Sequence, residues 1–119
     1  MKQKILLLSL LFISNYVSAK TVSDFINEYP PLARNSIIKV AIQQGAMGNA
    51  ATDAVSNGAT DKDIVNVTQR LLADNGYDYA RASLRELAGS ICGTADLEGI
   101  YSFRDKDCRT IIEVDSEIE

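Results

Sequence analysis

The chain has no histidine. That absence excludes a Ser-His-Asp triad, a Cys-His dyad and every histidine metal ligand. Only two cysteines are present, too few for a structural zinc site, which takes four Cys or His ligands. They do not form a Cys-x-x-Cys pair, the usual redox arrangement. No glycine-rich phosphate loop follows a strand-like segment. No apolar run reaches the roughly 20 residues that span a bilayer. Basic residues are in deficit, 12 against 16 acidic ones, for a formal net charge of −4 over 119 residues. Such a surface repels phosphate backbones and anionic lipid, so neither nucleic acid nor a membrane is an expected partner.

What is present begins with an address. Lys2 and Lys4 give a positive start, Ile5 to Ile13 is apolar except for Ser9, and Val17-Ser18-Ala19 places small residues at a cleavage position. This is the three-part layout of a secretory signal peptide over residues 1–19, with Lys20 as the expected first mature residue. No cysteine follows the apolar run, which argues against a lipid anchor, and Lys2 in place of glycine excludes N-myristoylation. The expected location is periplasmic or secreted. Losing Lys2 and Lys4 takes the net charge from −4 to −6. A partner with a basic surface suits that charge, as does simple solubility.

Both cysteines, Cys92 and Cys108, fall in the exported part with fifteen residues between them. An even count in an exported chain points to a disulfide. Closing a loop of this length stabilises a fold by roughly 3 kcal/mol in the chain-entropy description.

The punctuation of the mature chain is helical. Ser23-Asp24-Phe25-Ile26 starts a piece of at most two turns, stopped by Tyr29-Pro30-Pro31. Pro31 suits the first turn of a second helix, with Ala33, Ile37, Ile38 and Ala41 on one face and Gly45 as its stop. Met47, Ala50, Ala51, Ala54 and Val55 follow the i, i+3, i+4, i+7, i+8 rule up to Asn57-Gly58. Thr60 and Asp63 open the next helix in capping-box fashion, and Asp74-Asn75-Gly76 closes it. Asp78 starts the last, which carries Leu84, Leu87 and Ile91 and ends at Gly93. A short echo links Ile42-Gln43-Gln44-Gly45-Ala46 to Val55-Ser56-Asn57-Gly58-Ala59. It reads as two short helices with the same stop chemistry, since solenoid repeats run about 20 to 50 residues.

The resulting fold class is all-α: a compact array of four or five short helices with one disulfide and a C-terminal loop or tail. Residues 20–110 form the helical domain. Residues 111–119, with Glu113, Asp115, Glu117 and Glu119 on one parity, read as a frayed acidic tail. Asp61-Lys62-Asp63 and Asp105-Lys106-Asp107 read as solvated charge, because neither continues as an EF-hand loop. Asn66-Val67-Thr68 matches a glycosylation sequon but sits inside a helix.

No catalytic or metal-ligating set and no cofactor motif emerges, so the chain reads as a non-enzyme. The expected function is that of an exported binding or adaptor protein. It would act by protein–protein interaction in the bacterial envelope, as an accessory factor of a secretion or surface-assembly system. Two alternatives stand beside it: a periplasmic immunity protein that inhibits a secreted toxin, and a small secreted hydrolase or toxin. The partner-binding residues are sought in the segment bounded by the cysteines, at Ile100, Tyr101, Phe103 and Arg104. Helical periodicity does not account for these residues, and Tyr and Arg dominate interface hot spots. The competing expectation is that Ile100 and Phe103 fold back to cap the helical core.

Overall fold

The computed structural model describes residues 20–93 and 103–118. The described residues form five α-helices: α1 Val22–Glu28, α2 Pro30–Ala33, α3 Ser36–Ser56, α4 Ile64–Glu86 and α5 Asp105–Ile118. The chain leaves α4 through one wide π-type turn, Leu87–Ile91, whose closing bond runs from the Cys92 N–H to the Leu87 carbonyl. No strand occurs among the described residues, and none of their helices is long and apolar enough to cross a membrane. The all-α class with one disulfide is thus what the chain adopts.

Each start has a local cause. Thr21 caps α1 through a reciprocal pair: its hydroxyl accepts from the Asp24 N–H, and the Asp24 carboxylate accepts from the Thr21 N–H. Tyr29-Pro30-Pro31 interrupts the helix, and the prolines then occupy the first turn of α2. Asn35 caps α3 by accepting the Ile38 N–H at 3.0 Å. At the far end of α3, Gly58 adopts φ +94°. The N–H groups of Gly58 and Ala59 then return to the carbonyls of Val55 and Ala54, the two bonds of a Schellman stop.

Helices α3 and α4 form an antiparallel hairpin, the most extensive helix–helix contact of the fold. The side chains of Ile38, Ile42, Ala46, Ala50 and Ala54, one every fourth residue, make the ridge that α3 buries. The main core sits at one end of the hairpin. There Phe25 and Ile26 of α1, Leu32 of α2, Ile38 and Ile42 of α3, and Ala80 and Leu84 of α4 form one cluster with Phe103 and with Ile111 and Val114 of α5. The other end of α3 buries only alanines, so its own bulk contributes little there.

Three expectations are corrected. Gly45 does not stop a helix; it lies inside α3. A Cβ at Gly45 would collide with the Ser83 hydroxyl of α4, so the glycine permits close helix approach. The echoed pentapeptides therefore do two different jobs, a crossing at Gly45 and a left-handed stop at Gly58. Likewise Asp74-Asn75-Gly76 does not end a helix, and Asp78 is internal to α4. Asn75 alone leaves helical geometry (φ −133°, ψ 23°) and kinks α4. The kink seats the segment that leads into α1: the Tyr77 N–H donates to the Lys20 carbonyl at 2.6 Å, and a Cβ on Gly76 would lie 2.8 Å from the Val22 nitrogen. Finally, residues 111–118 are helix rather than frayed tail. Ile111 and Val114 are buried and Ile118 packs at the edge of the core, the i, i+3, i+7 stripe that the acidic alternation obscures.

Candidate functional site

The first turns of α3 and α5 meet around Asp107, which is 2% exposed. One carboxylate oxygen accepts from the Asn35 side-chain amide at 2.8 Å, and the other accepts from the Arg104 backbone N–H at 2.9 Å. Asn35 thus caps α3 with its oxygen and reaches α5 with its nitrogen. Asp107 is not solvated charge, a correction to the reading of Asp105-Lys106-Asp107. Burial is the largest single influence on the Asp107 carboxyl and pushes its pKa up. The two hydrogen bonds and the nearby Lys106 and Arg104 charges outweigh burial and hold it below the ordinary carboxylate value.

A depressed folded-state pKa contributes stability that is complete above the unfolded value of about 3.9 and is lost as pH falls through the folded value. Acid unfolding of the wild type should therefore steepen below about pH 4. Asp107→Ala leaves two part-buried donors without their acceptor and should lose about 1–3 kcal/mol near neutral pH, with a flatter acid limb. Urea titrations at neutral and acid pH check both. An unchanged acid limb in the variant would show that Asp107 is not the titrating staple.

Outside this staple lies an open cleft of about 500 Å³, lined by Arg34, Asn35, Ser36, Ile37, Arg104, Lys106 and Asp107. Arg34, Arg104 and Lys106 are exposed. The ion pairs among the described residues are Arg81–Asp78 and Arg85–Asp115, so none of these three cations has an ion-pair partner there.

A second surface lies at the alanine end of the hairpin. Met47 and Val55 of α3 and Val65 of α4 are each 56–61% exposed. Between the helices runs an apolar groove of about 270 Å³, lined by Met47, Ala51, Ile64, Val65, Thr68, Gln69 and Leu72. From Val40 to Thr52 the sequence has no charged residue. Thr68 is 7% exposed and its hydroxyl has no hydrogen-bond partner among the described residues. A Cβ on Gly48 would meet nothing within 4 Å, so no contact of the described residues explains that glycine in mid-helix, where it costs about 1 kcal/mol relative to alanine.

Of the four residues expected to bind a partner, Ile100 and Tyr101 lie outside the described residues. Phe103 is 5% exposed and belongs to the core cluster, as the capping alternative has it, so it is no surface anchor. Arg104 is exposed and lines the basic cleft. Cys92 and Cys108 are joined, with Cα atoms 5.3 Å apart, and tie the π-type turn to α5. Among the described residues no group of three or more Cys, Asp and Glu is arranged to hold a metal ion. The sequence signal for the Asn35 cap was the usual one, an Asn directly before an apolar-periodic run. The Asp107 bond to the Arg104 N–H three residues back is local, whereas its bond to Asn35, 72 positions away, carried no sequence signal. Set against known protein families, curated proteins and solved structures, the chain matches none of them.

Proposed function

We propose that this chain is an exported helical binding protein of the bacterial envelope that works by protein–protein contact. The observation that carries the reading is the apolar, uncharged face of the α3–α4 hairpin. Exposing Met47, Val55 and Val65 together keeps apolar area in water at about 25 cal/mol per Å². A monomer gains nothing from that arrangement, whereas a partner that covers the face does. The unpartnered Thr68 hydroxyl beside the groove supports the same reading, because burial without a partner is costly. The signal-peptide layout of residues 1–19 supports export, and the disulfide suits an oxidising compartment.

The test is capture of a partner by the tagged protein from periplasmic extract, compared with a Met47→Asp, Val65→Asp double variant. Both side chains are exposed, so the melting temperature should stay nearly constant while the captured partner is lost. Sequencing of the exported protein should begin at Lys20. Undiminished capture by the variant, or exported protein that begins at Met1, would overturn the reading.

A further inference from the structure

We infer that the cleft between the first turns of α3 and α5 binds a small multivalent oxyanion of the phosphate or carboxylate class. Three side chains carry the inference: Arg34 from the end of α2, and Arg104 and Lys106 at the start of α5. They come from segments about 70 positions apart and surround one concavity of about 500 Å³, within the usual size range of ligand pockets. Among the described residues that line the cleft one is a carboxylate, Asp107, and its two oxygens accept from Asn35 and the Arg104 N–H. Arg104 and Lys106 are near enough to favour its charged form, but among the described residues none of the three cations lies within ion-pair distance of it.

The cluster stands out in a chain where acids outnumber bases 16 to 12. The overall negative charge does not defeat it. At physiological ionic strength charges are screened over about 8 Å, so a local group of three cations sets its own potential. The same overall charge argues against a long polyanion, which would track over acidic surface, and in favour of a compact ion. Two guanidinium groups supply planar forks that match paired oxygens, and the ammonium adds a point charge. Ser36 and Ile37, in the first turn of the 21-residue α3, also line the cleft and add the positive end of its dipole. The first turn of α5 adds no such help, because Asp105 and Asp107 offset it.

The experiment is an amide NMR titration of the exported, disulfide-bonded protein with pyrophosphate, and in parallel with citrate. The expected result is a saturable shift, for at least one of the two ions, centred on the amides of Ser36, Ile37, Arg104 and Lys106. The tighter ion identifies the phosphate or the carboxylate class. Arg34→Ala with Arg104→Ala should weaken binding at least tenfold at an unchanged melting temperature, since both side chains are exposed. Lys106→Ala should weaken it less, and Arg109→Ala, outside the cleft, should leave it unaltered. The inference is overturned if neither ion saturates, if the shifts scatter over all basic residues, or if the double variant binds like the wild type.

Discussion

Replacing Cys92 with serine should lower stability by about 2–5 kcal/mol, the usual loss when a small secreted domain gives up its disulfide. Against a typical total of about 5–15 kcal/mol, that is enough to bring the domain near unfolding at body temperature. The Cys92–Cys108 bond joins the π-type turn to the first turn of α5 across residues 93–107. Without it, α5 keeps only its own contacts. At 14 residues it is close to the length at which an isolated helix is marginal in water. The main anchors left to it are Ile111, Val114 and the Asp107–Asn35 bond. Loss of α5 would also open the core around Phe103, which places the effect in the upper part of that range. Urea denaturation of wild type and variant measures the difference. Thiol labelling of denatured, unreduced wild type should find no free thiol, consistent with the absence of free cysteine among the described residues. A variant whose midpoint matches the wild type would show that the bond is dispensable.

Phe25→Ala should cost about 3–5 kcal/mol. Phe25 has no exposed surface and sits between two tyrosine rings, with centroids 5.3 Å from Tyr29 and 5.4 Å from Tyr77, the latter edge-on. Such pairs add to the value of burial itself. Helix α1 is only seven residues long and holds its place through this side chain, Ile26 and the seat against the α4 kink. The Tyr77 hydroxyl donates to the Glu28 carboxylate at 2.9 Å, and burial together with that bond pushes the Tyr77 pKa up to about 12. Release of α1 should therefore return Tyr77 toward its ordinary value. Ultraviolet titration of the variant against the wild type reads this separately from the denaturation midpoint. A small stability loss with Tyr77 unaltered would mean that α1 stays docked without its phenyl ring.

Much of the helical content was legible because periodicity is a local property. Of the apolar faces read over this stretch, Ile38, Ala41, Ala50 and Ala54 are buried in α3, whereas Ile37, Met47 and Val55 are exposed. The two-turn limit on α1 followed from Tyr29-Pro30-Pro31, and the disulfide from the even count of cysteines behind a signal-peptide layout. Gly45 and Gly76 were misread for one reason. A glycine that ends a helix and a glycine that lets another segment approach look alike until the neighbour is known. Here the neighbours are Ser83 and residues 20–22. The basic cleft was not legible at all, apart from Arg104. Arg34 and Lys106 carry no motif, and their proximity depends on how α5 returns to the start of α3.

The sequence alone determined the all-α class, the paired cysteines, the stop at Gly58, and the lack of histidine chemistry. These follow from composition and from interactions within a few residues. The tertiary structure decided that the expected short helices between Pro31 and Gly93 are two long ones, that the acidic C-terminal stretch is a packed helix, and that Asp107 is buried. It also decided that Phe103 belongs to the core. Each of these depends on contacts between residues far apart in the chain. Such contacts can override a local stop signal whenever the burial gained exceeds the roughly 1 kcal/mol that a mid-helix glycine costs.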